Sequence, residues 1–347
     1  MIRVAVCDDS RTYVHALTRV LEADGDIAVV GAYGTAEELL TALPSLKADL
    51  VTMDLELPGL DGIDATRRIM ARRPLPVVVL SSHADERAAE ALAAGAVDVL
   101  HKGEVTLDDV AGAGGNVLRR RIRRLSRLHV SAPPPPRPAG PAPVGQARGP
   151  LRIACARGAR AIGIAASTGG PSALRRVLGA LPAEPDLPVF VVQHMTAGFT
   201  EGLARWLDGV IAAPVRLAAD GVAARPGVWV APDERHLTIA AGPTMRLDRR
   251  DRGGPHRPSA DALLCSMAES LGASAVAVVL TGMGDDGAKG VAALVARGGL
   301  VIAQDTATSA VAGMPRAAAA AGAQVVLALD EIGPAIAALR PYAKVGG

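Results

Sequence analysis

The stretch Ala161–Leu181, AIGIAASTGGPSALRRVLGAL, decides how the longer half of the chain folds. Six apolar residues, Ala161–Ala166, run into Ser167-Thr168-Gly169-Gly170-Pro171, and a helical pattern follows over Ala173–Leu181. A run that is apolar throughout fits a parallel strand covered on both faces. Strand, sharp turn and helix together make one β/α unit. Further runs of the same kind are Pro188–Val192, Ala275–Leu280, Val301–Ala303 and Val325–Leu327. Between residues 214 and 248 the pattern changes. Short runs such as Val228–Ala231 and Leu237–Ala240, broken by Gly and Pro, predict hairpins.

The N-terminal third carries the same alternation. Its apolar runs are Ile2–Cys7, Ile27–Val30, Leu50–Met53, Val77–Leu80 and Val97–Leu100, separated by amphipathic stretches. Five such strands make a small doubly wound domain. The fold class is therefore α/β: a five-stranded doubly wound domain, then a Rossmann-like domain on a parallel sheet. Between them lie Arg119–Arg124 (RRRIRR) and Ser131–Pro150 (SAPPPPRPAGPAPVGQARGP). Four consecutive prolines favour an extended spacer. The expected division is 1–120, a linker over 121–155, and 156–347.

Composition narrows the function classes. The chain has 347 residues, enough for two domains, and half of them are hydrophobic, enough for two cores. A net charge of +2 and 2% aromatics give no reason to expect a nucleic-acid partner. The arginine run reads as a solvated helix face rather than a nucleic-acid patch. Three scattered cysteines fit reduced thiols in the cytoplasm, and neither a signal peptide nor a membrane-length apolar run is expected.

Chemistry-bearing residues fall at strand ends. Asp8 and Asp9 follow the first strand and Asp54 the third; Ser81 ends the fourth and Lys102 the fifth. Any one such Asp could be a turn former or helix cap. In an open parallel sheet, however, carboxyl ends line one crevice, so all five should converge. Oxygen ligands suit a hard cation such as Mg²⁺. A carboxylate beside it can attack phosphorus, with the metal and an amine offsetting charge. Lys102 is one of four lysines in a chain that otherwise uses arginine. With LELPGLDG after Asp54, this set resembles the response-regulator receiver family over about 120 residues. That resemblance implies phosphorylation of Asp54 by a histidine kinase, Mg²⁺ held by Asp8, Asp9 and Asp54, and a switch through Ser81 and Lys102. Gly103 stands where the family usually has proline, and Val99 where an aromatic switch residue is common.

In the second half, Ser167 sits at a turn into a helix N-terminus, which could host a nucleophile or cradle an anion. His194 follows the strand ending at Val192, and Gly284-Asp285-Asp286-Gly287 follows the strand ending at Leu280. A serine nucleophile needs a base, and the base needs a carboxylate to orient it. Spacing alone leaves Asp285 and Asp286 open, with Asp305 as a rival.

GIAASTGGPSAL, VVQHM, APDERHL, LTGMGDDGAKG and AQDTATSAVAGMP resemble the catalytic domain of the chemotaxis protein-glutamate methylesterases (CheB-type) from about residue 160 onward. The resemblance implies a receiver-controlled serine esterase with Ser167 as nucleophile, His194 as base and Asp286 as third member. It places Thr168 and Met283 along the active site and requires no cofactor for the esterase. Its substrate would be a glutamate methyl ester on a chemoreceptor, with receptor glutamines as a second target. Ala312 stands where the family commonly has Tyr. Rival readings are a non-catalytic module under receiver control, a DNA-binding regulator, and a methylesterase serving a chemosensory output other than chemotaxis.

Overall fold

A computed structural model describes residues 1–82, 86–104, 113–128, 130, 158–250, 254 and 256–340. The proline-rich stretch read as a linker lies outside these residues. The chain divides into two compact units, Met1–Pro133 and Pro134–Gly347.

The first unit alternates β1 (Ile2–Cys7), α1 (Arg11–Glu22), β2 (Ile27–Tyr33), α2 (Ala36–Ala42), β3 (Leu50–Asp54), α3 (Gly62–Arg72), β4 (Val77–Ser81), α4 (Glu86–Ala93), β5 (Asp98–His101) and α5 (Ala113–Leu125). The sheet is wholly parallel in the order β2-β1-β3-β4-β5. Its strand order reverses between β1 and β3, so the crevice opens at their carboxyl ends. Helix starts follow from local chemistry: the side chains of Ser10, Thr35 and Asp61 accept backbone N–H bonds at the first turns of α1, α2 and α3.

The arginine run does more than face solvent. Arg119 is buried, donating to Asp24 at 2.8 Å, to the Val20 carbonyl at 2.9 Å and to Asn116. Arg123, one turn on, pairs with Asp24 and Asp26, and Arg121 reaches Asp98 at 3.3 Å. The odd-numbered arginines thus fasten α5 to its own unit. Ile122 and Leu125 enter the core, so this unit packs beyond residue 120.

The second unit contains β6 (Ala161–Ala166), α6 (Gly170–Leu178), β7 (Pro188–Gln193), α7 (Thr200–Val210), β8 (Val215–Leu217), β9 (Gly227–Val230), β10 (His236–Ala240), β11 (Thr244–Asp248), α8 (Ala260–Leu271), β12 (Ala275–Val279), α9 (Ala288–Ala296), β13 (Leu300–Gln304), α10 (Gly313–Ala320), β14 (Val325–Leu327) and α11 (Leu329–Ala337). Seven strands form a parallel sheet in the order β14-β13-β12-β6-β7-β9-β8. Without the edge strand β8, this is the Rossmann succession, reversing between β6 and β12. Strands β6, β7 and β12 are buried at every position.

One expectation is corrected. The run Val228–Ala231 is not part of a hairpin; β9 lies parallel between β7 and β8, and all four of its residues are buried. Only Leu237–Ala240 belongs to a hairpin, as β10 paired antiparallel with β11. Four apolar residues are too few for periodicity to separate a sandwiched strand from a hairpin arm.

Arg119→Ala should destabilise the first unit by about 1–3 kcal/mol, because it strips a buried carbonyl of its donor and Asp24 of one partner. Exposed Arg120→Ala should cost less than about 0.5 kcal/mol. Urea unfolding followed by circular dichroism checks this. Both tryptophans, Trp206 and Trp229, lie in the second unit and serve as an internal reference.

Candidate functional site

In the second unit, three neighbouring strand ends supply the chemistry. Ser167 follows β6, His194 follows β7, and the loop carrying Asp286 follows β12. The turn after β6 depends on two glycines. Gly169 adopts φ +76°, a left-handed conformation that side chains disfavour. A Cβ on Gly170 would collide with Gln193 Oε1. Gln193 is itself buried, and its Nε2 donates to the carbonyls of both Ser167 and His194 at 2.8 Å. The Gln193 side-chain amide thus ties the backbone of Ser167 to that of His194. Ser167 N donates to the Thr281 carbonyl at 3.0 Å. A Cβ on Gly282 would lie 2.8 Å from Ser167 Cβ, so the Gly282 backbone lies directly against the serine. Met283 and Thr168 are both half-buried here.

His194 Nε2 lies 2.8 Å from Asp286 Oδ2, and both side chains are nearly buried. Both ring nitrogens are buried, and neither has a partner in full hydrogen-bond geometry: Nε2 is held at ion-pair distance from Asp286, and Nδ1 has no such contact. Asp286 also accepts from Ser259 Oγ (3.0 Å), Ala260 N (2.8 Å) and Asp261 N (3.0 Å). It therefore caps the N-terminus of α8, where the dipole favours negative charge. Burial opposes ionisation of Asp286, but His194 and these donors outweigh it and hold its pKa well below the usual carboxylate range. The magnitudes agree: four charge-assisted contacts at about 1.5–3 kcal/mol each exceed a desolvation penalty of several kcal/mol.

The rival carboxylates are placed elsewhere. Asp285 is exposed. Asp305 accepts from Thr308 N and Oγ1 at 2.8 and 2.6 Å and caps its own turn.

In the first unit, Lys102 Nζ lies 2.7 Å from Asp8 Oδ2 and 2.8 Å from Asp54 Oδ2. Its ammonium sits 4.7 Å above the centre of the Tyr13 ring. Asp8, Asp54 and Ser81 are buried. Burial pushes Asp54 above its usual pKa, only partly offset by Lys102. Ligand atoms of Asp8, Asp9 and Asp54 lie within 4.8 Å of one another. Three carboxylates facing one ammonium leave an excess of negative charge in a crevice, and hard oxygen donors fit a cation such as Mg²⁺. Val99 is buried within β5.

Comparison with known proteins gives the family. The CheB methylesterase family model matches residues 162–336, and the response regulator receiver domain model matches 4–110. The protein-glutamate methylesterase/protein-glutamine glutaminase 3 of Anaeromyxobacter dehalogenans is 42% identical over 97% of this chain and 98% of that relative. The chain belongs to the CheB methylesterase family. A Myxococcus xanthus relative, protein-glutamate methylesterase/protein-glutamine glutaminase 4, is 38% identical over 95% of each chain. The crystal structure of the Thermotoga maritima CheB methylesterase catalytic domain is 38% identical, covers 52% of this chain and 97% of that one, and superposes with a TM-score of 0.50.

Several residues at these CheB-family sites escaped the sequence reading. Tyr13, Gln193, His256, Ser259 and Asp261 all touch the groups named above or hold their loops. Ser259 followed by Asp261 at the start of α8 is a legible helix-start signal. Nothing in the sequence shows that this helix end receives Asp286.

The depressed pKa of Asp286 makes a signed prediction. Its contribution to stability is complete above the ordinary carboxylate range and is lost as pH falls through the lower, folded-state value. The wild type should therefore lose more stability on acidification than Asp286→Asn. Urea midpoints followed by tryptophan fluorescence at pH 7 and at about pH 3 check the difference.

Proposed function

We propose that the chain is a phosphorylation-activated protein-glutamate methylesterase, with Ser167, His194 and Asp286 as its catalytic residues. The observation that carries this reading is the buried His194–Asp286 contact on the strand ends flanking Ser167. Ser167 Oγ attacks the ester carbonyl of a methylated glutamate while His194 takes its proton, for which Nδ1 is the nitrogen not set against Asp286. Asp286 holds the imidazole and stabilises the imidazolium. The proton returns to the leaving methoxide, and methanol departs. Water, deprotonated by the same imidazole, then attacks the acyl-serine; the acyl–Oγ bond breaks, the imidazolium returns the proton to Ser167 Oγ, and free glutamate leaves. With a glutamine substrate the leaving group is ammonia. Thr168 and Met283 line the position of the reacting carbonyl. No cofactor is needed for these steps. The named relatives are methylesterases and glutaminases, which supports both reactions on a methyl-accepting chemoreceptor.

Asp54 accepts the phosphoryl group from a histidine kinase. Asp8, Asp9 and Asp54 would hold Mg²⁺, which supplies charge neutralisation on the moving phosphoryl group. Lys102 neutralises the aspartyl phosphate, and Ser81 reports it. Phosphorylation of Asp54 raises the esterase activity at Ser167. We place the reaction in the cytoplasm, where a kinase supplies phosphate. Among the described residues no helix is long and apolar enough to cross a membrane.

Ser167→Ala should reduce methanol release from methylated receptor by at least about 10⁴-fold. Unchanged release would remove Ser167 from the chemistry. Acetyl phosphate with Mg²⁺ should stimulate the wild type, whereas Asp54→Asn should show only basal release. EDTA should abolish the stimulation and leave basal release intact. Equal stimulation of Asp54→Asn would contradict control through Asp54.

A further inference from the structure

One ring at the second site has no part in the chemistry above. His256 stacks on His194, with ring centres 4.1 Å apart and planes 6° from parallel. His256 precedes α8 by a few residues, in His256-Arg257-Pro258-Ser259. Ser259 Oγ donates to Asp286 Oδ1 and accepts from Ala262 N. Asp261, two residues further, accepts from Gly287 N and Gly290 N, both at 2.9 Å. The two helix starts are therefore capped reciprocally: Asp286, beside α9, caps α8, and Asp261, within α8, caps α9. Base, carboxylate and stacking ring all share the N-terminal end of α8.

Stacking matters because of how imidazole bonds. Both ring nitrogens direct their proton or lone pair in the ring plane. One contact with Asp286 fixes the distance at a single nitrogen but leaves the ring free to tilt about that contact. A tilt re-aims Nδ1 even while the Asp286 contact survives. A flat partner against the ring face removes that freedom, and a parallel ring is a suitable one.

We propose that His256 is a positioning residue for the ester hydrolysis, holding the His194 imidazole in the plane that serves Asp286 and Ser167 together. The proposal rests on the esterase reading of Ser167. It assigns the work to the face of the His256 ring, not to its nitrogens. Its effect falls on the chemical step and not on capture of the receptor.

The test measures methanol release from carboxyl-methylated receptor by the full-length protein with acetyl phosphate and Mg²⁺, for wild type, His256→Ala, His256→Phe and Ser167→Ala. Misplacing a catalytic group by about 1 Å can cost about 100-fold. His256→Ala should accordingly lower kcat by about 10- to 100-fold while KM stays near the wild-type value. His256→Phe, which keeps a flat face and lacks both nitrogens, should restore most of that loss. The thermal midpoint of tryptophan fluorescence should stay close to wild type in both His256 variants, separating positioning from folding. Wild-type kcat in His256→Ala would overturn the proposal. So would a loss in His256→Phe equal to that in His256→Ala, or a loss that tracks the thermal midpoint or KM. If Ser167→Ala also retained activity, the esterase reading itself would fail. If Ser167→Ala is inactive while His256→Ala is not, only the positioning role fails.

Discussion

A carboxylate buried at a helix start makes the second unit's site possible. Asp286 is ionised in a place where burial alone would neutralise it, because it spends its oxygens on α8 N–H groups, Ser259 and His194 together. That arrangement couples two needs. The helix end needs an acceptor, and the imidazole needs a fixed anion. One side chain meets both, so the geometry of His194 is inherited from the packing of α8 against the sheet. Asp261 returns the same service to α9.

Both units use one geometric device for different chemistry. Each has a parallel sheet whose strand order reverses, and in each the reactive groups collect at the carboxyl ends beside the reversal. In the first unit the groups are carboxylates around an ammonium, which suits a metal ion and phosphoryl transfer. In the second they are a hydroxyl, an imidazole and one carboxylate, which suits acyl transfer. The sheet supplies placement and the loops supply the reaction.

Much of this was legible in advance. Strands apolar on both faces announced parallel sheets, and strand-end residues announced the crevices. Ser167, His194, Asp54 and Lys102 all stand where that logic puts them. Legibility failed where the deciding interaction is tertiary. Spacing leaves Asp285 and Asp286 side by side; the family resemblance picks Asp286, and the start of α8 supplies the physical reason. Strand β9 gave no periodicity to read, being four residues buried on both faces. His256 lies some sixty residues from His194 along the chain, and no local pattern signals that their rings meet. The arginine run looked like surface because spacing does not reveal that Asp24 and Asp26 wait at the matching turn.

The central claim is that His194 and Asp286 act as one unit on Ser167. A double-mutant cycle in kcat/KM for methanol release tests it most directly, using His194→Ala, Asp286→Asn and the two combined. The combined variant should lose no more activity than His194→Ala alone, because the carboxylate acts only through the imidazole. Losses that multiply would show that the two residues contribute independently, and would contradict the claim.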